Sequence, residues 1–101
     1  MGMQTDVLAS QPATGDGQLV NQAGDNIGRA RVKAILIVPS ASAGSVVFKD
    51  GGSGGSTKMT INTLASSTNS DYIILPGEGV LFSTNIYVDI TNVASVMVWY
   101  G

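Results

Sequence analysis

The sequence predicts an all-β fold, an antiparallel β-sandwich of jelly-roll type built from seven to eight short strands. Three observations carry that prediction. From Arg29 onward, short apolar segments recur at roughly the 8–12-residue spacing of sandwiches and barrels. Clusters of Gly, Ser, Asn and Asp separate them, and no segment sustains the 3.6-residue period of a helix. The chain has 101 residues, enough for one domain with a modest core.

Residues 1–28 read as an extended N-terminal arm and residues 29–101 as the sandwich. The arm is rich in Gln, Gly, Asn and Ala, with apolar side chains only at intervals, at Val7, Leu8, Leu19, Val20 and Ile27. Such spaced apolar pairs are what an added strand needs to seat itself on a neighbour. Val7, Leu8, Leu19 and Val20 are therefore the candidate contact residues of an arm that lies across a neighbouring subunit.

The segment Arg29–Val38 (RARVKAILIV) alternates. Ala30, Val32, Ala34, Leu36 and Val38 form one apolar face, and Arg29, Arg31, Lys33, Ile35 and Ile37 form the other. The second face turns apolar at Ile35 and Ile37, so another sheet or subunit must cover it. Ser45–Lys49 pairs back on this strand as a hairpin, and the glycine–serine run Asp50–Ser56 leads into Thr57–Asn62 with Met59 and Ile61 inward. Asp71–Leu75 and Val80–Phe82 follow, with a turn at Pro76-Gly77 between them. Ile86–Ile90 puts Ile86, Val88 and Ile90 inward. Ser95–Tyr100 puts Val96, Val98 and Tyr100 on one face and Met97 and Trp99 on the other. Met97, Trp99, Ile35 and Ile37 are the candidate subunit-interface residues, because each lies on an apolar face that needs a partner.

Composition narrows the function. Charged residues are 12% of the chain, about half the roughly 25% of soluble domains, and the net charge is −2. No cationic surplus serves a phosphate backbone or an anionic bilayer, so neither nucleic acid nor membrane is an expected partner. The longest apolar run, Ala34–Val38, falls far short of a membrane-spanning helix, and the first ten residues show no leader-like pattern. With no cysteine and no histidine, thiolate chemistry, disulfides and the commonest zinc ligands drop out.

The acidic residues Asp6, Asp16, Asp25, Asp50, Asp71, Glu78 and Asp89 are scattered, without calcium-loop spacing or a catalytic pair. Gly51–Lys58 lacks the Gly-Lys-Ser/Thr ending of a phosphate loop, and no Ser-x-x-Lys motif offers a nucleophile. The chain therefore reads as a non-enzyme, with no catalytic, metal or cofactor-binding residues and no cofactor. Tyr72, Tyr87, Trp99 and Tyr100 are the rings a sugar could stack on, with core packing the default for three of the four. Ser, Thr, Asn and Gly carry the solubility that charge usually carries. A surface of that kind suits closely packed assemblies, where buried charge is costly and neighbours cover edge strands.

The phrases Leu75-Pro-Gly-Glu-Gly-Val-Leu-Phe82, Ile86-Tyr87, Thr91-Asn92 and Val98-Trp-Tyr-Gly101 resemble those of small virion proteins of tailed bacteriophages, the marine cyanophages in particular. The resemblance covers Arg29–Gly101. It implies a small β-sandwich, made in the host cytoplasm, that decorates or cements the outer capsid surface, as a homotrimer bound across junctions of the major capsid protein. A tail or head-to-tail component is the second role it implies. A carbohydrate-binding module is the alternative from a different class.

Overall fold

A computed structural model describes residues 7–63, 71–75, 77 and 79–101. The described residues form nine strands and no helix: β1 (Leu8–Ala9), β2 (Gly17–Gln18), β3 (Ala30–Pro39), β4 (Gly44–Asp50), β5 (Ser56–Thr63), β6 (Asp71–Ile74), β7 (Val80–Phe82), β8 (Tyr87–Thr91) and β9 (Val93–Tyr100). They make two antiparallel sheets packed face to face. Sheet A has the order β1-β9-β3-β6 with β7 also on β3, and sheet B the order β2-β8-β4-β5. The expected all-β sandwich is thus what the chain adopts.

Period-2 alternation sets the core. From sheet A, Val32, Ile35, Ile37, Phe82, Val96 and Val98 point inward, and Val46, Phe48 and Val88 of sheet B meet them together with Ile86, just before β8. All ten are fully buried, each adding about 1.5–3 kcal/mol of transfer free energy. Met59 and Ile61 of β5 pack against this cluster as their spacing predicts.

The face assignment of β3 differs from expectation. The ladder to β9 runs Val32↔Tyr100 and then Ala34↔Trp99, so Lys33 and Ala34 together oppose one residue in a β-bulge. A bulge inserts one residue and exchanges the faces beyond it. Ala30 and Val32 therefore join Ile35 and Ile37 in the core, and Ala34, Leu36 and Val38 turn to the outside.

Two further expectations are corrected. Ser45–Lys49 does not pair with β3; β4 lies between β5 and β8 in the other sheet, and residues 40–43 carry the chain across. Asn92 carries it back between β8 and β9 in one residue, at φ 51°, a left-handed conformation that asparagine tolerates. Its side-chain amide donates to Ala43 O and its carbonyl accepts from Ser40 Oγ, tying the two crossings together.

Residues 7–28 do not stand off as an arm. They close one open side of the sandwich, with β1 on the β9 edge of sheet A and β2 on the β8 edge of sheet B. Ser10 extends the first pairing: its N–H donates to Val98 O, and its Oγ accepts from Val98 N–H at 2.9 Å. Ala13 then exchanges both backbone bonds with Val96. Leu19 and Ile27 enter the core as plugs between the sheets.

On the opposite edge of sheet A, β6 and β7 lie in line along β3, interrupted between Leu75 and Gly79. Gly79, at φ 86°, brings its Cα against the Val32 carbonyl, where any Cβ would collide. Pro76, Glu78, Asp6 and the side chain of Asp71 lie outside the described residues, so the turn expected at Pro76-Gly77 is described only at Gly77.

Candidate interaction surface

The two sheets present unlike outer faces. On sheet B the outward positions are Gln18, Ser45, Val47, Lys49, Thr60, Asn62, Tyr87 and Asp89, a largely polar set in which Lys49 Nζ pairs with Asp89 Oδ2 at 3.5 Å. On sheet A the bulge in β3 sends apolar residues outward, and register fixes which of them share a row. Leu36 lies between Tyr72 and Met97; Ala34 lies between Ile74 and Trp99. Tyr72 is 58% exposed and Ile74 71% exposed, with Leu36, Met97 and Trp99 half-buried among them.

Tyr72 and Trp99 belong to strands on either side of β3, about 10 Å apart at the backbone. Their rings nevertheless meet, with centroids 5.6 Å apart and planes at 89°. Trp99 stands opposite the small Ala34, which is 7% exposed, and Tyr72 stands opposite Leu36, so the rings meet on a diagonal. Edge-to-face contact suits the quadrupoles of the two rings.

A cleft of mixed character lies at the other edge of sheet A. It encloses about 400 Å³ between the start of β3 and the end of β9, lined by the apolar Leu8, Ile27, Ala30 and Tyr100 and by the polar Asn21, Asn26 and Arg29. Leu8 and Tyr100 also line an adjoining hollow of about 290 Å³. Val7 and Leu8 beside it are exposed.

The residues singled out in the sequence separate accordingly. Met97 and Trp99 stand on the outer face of sheet A. Ile35 and Ile37 do not join them: both are fully buried between the sheets, because the bulge reverses the faces of β3. Of the arm residues, Val7 and Leu8 are exposed, Leu19 is sealed in the core, and Val20 is half-buried with its carbonyl accepting from Gln11 N–H. Sequence reasoning missed Leu36, Ala34 and Ile74 as surface positions. The available signal was the apolar alternation of β3 and β6 on both faces, which a polar-outside sheet does not need.

Two carboxylates, Asp50 and Asp16, hold backbone N–H groups. Asp50 accepts from the N–H groups of Ser83 and Thr84, at 2.9 and 2.8 Å, and more weakly from Asn85. Asn85 Oδ1 returns the bond by accepting from Gly51 and Gly52 N–H, so the β4–β5 turn and the β7–β8 loop hold each other. Asp16 Oδ1 accepts from Ile90 N–H at 2.6 Å. Among the described residues, no three acidic side chains converge and no helix is long and apolar enough to cross a membrane.

No protein-family model matches the chain, and neither a curated protein nor a solved structure is detectably similar to it.

Proposed function

We propose that this chain is a non-enzymatic structural subunit of a bacteriophage virion, which assembles with its own copies and decorates or cements the outer capsid surface across junctions of the major capsid protein. The observation that carries the assembly is the contrast between the two outer faces: one polar, the other lined by Tyr72, Ile74, Leu36, Met97 and Trp99. Isolated exposed apolar residues need no explanation, but a contiguous set across three strands does. Covering it removes apolar area at about 25 cal/mol per Å² and leaves no buried charge to desolvate. The virion setting rests on the resemblance of residues 29–101 to small phage virion proteins.

The mechanism is passive. A homotrimer seated over a junction links subunits that would otherwise separate, and the area buried across them opposes outward pressure.

One observation favours a second reading, a glycan-binding surface: Tyr72 is exposed beside Trp99. Their planes stand at 89°, so the pair offers an edge against a face and not the flat platform on which a sugar ring lies. Assembly is the better fit.

Light scattering at two concentrations tests the proposal. A mass three times the 10.3 kDa monomer, with retention on purified capsids, is the expected result. A monomer at both concentrations, with glycan-dependent quenching of Trp99 emission, supports the second reading instead.

A further inference from the structure

We infer that residues 7–13 are an exchangeable strand, which in the assembled state leaves its own sandwich and takes the same place on the β9 edge of a neighbouring copy. This rests on the self-assembly proposed above and adds a second link to it.

The seat of this segment has two walls. On one side is the β9 edge: Leu8 pairs with Tyr100 and Ala9 with Trp99, Ser10 N–H donates to Val98 O, and Ala13 exchanges both backbone bonds with Val96. On the other side lie residues 20–22, where Val20 O accepts from Gln11 N–H and the Gln22 side-chain amide donates to Ser10 O, each at 3.0 Å. Between the walls Ser10 is fully buried, and its Oγ accepts from Val98 N–H at 2.9 Å. A bulkier side chain there would overpack the seat, and one without an acceptor would leave the Val98 N–H unpaired. The seat therefore selects a short strand with a small hydroxyl residue at its centre, and residues 7–13 of this chain are that strand. Exchange alters only which copy supplies it.

The N-terminal segment is anchored unevenly. Leu19 and Ile27 plug the core, and Asp16 Oδ1 accepts from Ile90 N–H, which fixes residues 16–27 to the body. Residues 7–13 bring no comparable plug: Val7 and Leu8 are exposed, and Ser10 alone among them is buried. Hydrogen bonds to a sheet edge hold this part, and the same edge of a second copy offers the same bonds. Thr14 and Gly15, the joint between the two parts, are exposed, and Gly15 has open space around its Cα. A change of chain direction there disturbs no packing. Fully extended, residues 7–15 reach about 30 Å. The described residues measure 40 × 31 × 24 Å, so the released segment spans to an adjoining copy.

Proximity decides which seat is used, because the contacts are the same in both forms. A short linker holds the segment near its own seat at an effective concentration on the order of millimolar, which keeps it there in a dilute monomer. Copies packed through the outer face of sheet A bring a second seat within comparable reach. Exchange of an identical element then costs little and ties each copy to the next.

The experiment uses the unmodified full chain. Equal amounts of isotope-labelled and unlabelled protein are unfolded together in urea, refolded and concentrated until light scattering gives an oligomer. Isotope-filtered NOE spectra separate contacts between chains from contacts within one. The expected result is between-chain peaks for Ser10 with Val98 and for Ala13 with Val96, while Leu19 with Ile86 gives peaks within one chain alone.

An oligomer in which the Ser10 and Ala13 peaks arise only within chains would overturn the inference and leave self-assembly standing. Between-chain peaks for Leu19 as well would overturn the joint at Thr14 and Gly15, since the whole of residues 7–27 would then be exchanged. Protein that stays monomeric at every concentration would overturn both the inference and the self-assembly.

Discussion

The ring of Tyr72 meets the ring of Trp99 edge to face across the strand that separates them. This contact ties the edge strand β6 to β9 on the outside of the sandwich, independently of the core. Trp99 is the only tryptophan, so its emission reports this contact alone. Tyr72→Ala is expected to shift that emission to longer wavelength and to cost about 1 kcal/mol in urea unfolding. Ala34→Leu, which adds bulk directly opposite Trp99, is expected to produce the same spectral shift with an overpacking cost of about 1–3 kcal/mol. An unchanged emission maximum in both variants would contradict the contact.

Ser10 is fully buried and its hydroxyl occupies the place of a ladder acceptor for Val98. Ser10→Ala leaves that N–H without a partner, at an expected cost of about 1–3 kcal/mol. The urea midpoint should fall with no change in slope, and the Val98 amide should exchange faster. A midpoint within error of the parent would show that the Ser10 hydroxyl is dispensable.

Asp50 gives the protein an acid-sensitive corner. Its carboxyl is held below the ordinary value of 3.8 chiefly by the Thr84 N–H and then the Ser83 N–H, against its half-buried position, with the Asn85 N–H and the Lys58 charge adding smaller pulls. A carboxyl lowered on folding stabilises the protein fully above its unfolded value, and that stabilisation is lost as pH falls through the folded value. Asp50→Asn should therefore unfold at lower urea than the parent at neutral pH, and the difference should shrink toward pH 3. An equal difference at both pH values would remove the carboxylate from the account.

Gly79 and Gly77 both sit at positive φ, 86° and 60°, but only Gly79 lies against the β3 backbone at the Val32 carbonyl. Gly77→Ala is expected to cost about 1 kcal/mol from backbone conformation alone. Gly79→Ala is expected to cost more than about 2 kcal/mol, because the strand must also shift away from β3. Thermal unfolding of the two variants makes the comparison, and equal losses would mean that the β6–β7 break is not pinned at Gly79.

Alternation made much of the sandwich legible in the sequence. Val88 and Ile90 of β8, Val96 and Val98 of β9, and Met59 and Ile61 of β5 face as their period-2 spacing says. The frame of β3 was not legible, because one extra residue at Lys33–Ala34 exchanges every face beyond it and carries no mark in the sequence. That exchange put Ile35 and Ile37 in the core and turned Leu36 to the outer face, which is why half of the expected interface was misplaced. Residues 7–27 had no readable period for a different reason: single side chains such as Leu19 and Ile27 seat them, and backbone bonds at Gln11, Ala13 and Leu19 do the rest. The same bonds mean that removing residues 1–10 uncovers the β9 edge and does not merely trim an appendage.

The most direct test of assembly through the outer face of sheet A compares two charged substitutions, Ile74→Asp on that face and Thr60→Asp on the polar face of sheet B. Both positions are exposed. Mass in solution is measured by light scattering at matched concentrations. The account predicts an oligomeric parent, a Thr60→Asp variant of the same mass and a monomeric Ile74→Asp variant of 10.3 kDa. A parent that is itself monomeric, or an Ile74→Asp variant that keeps the parent's mass, would contradict it.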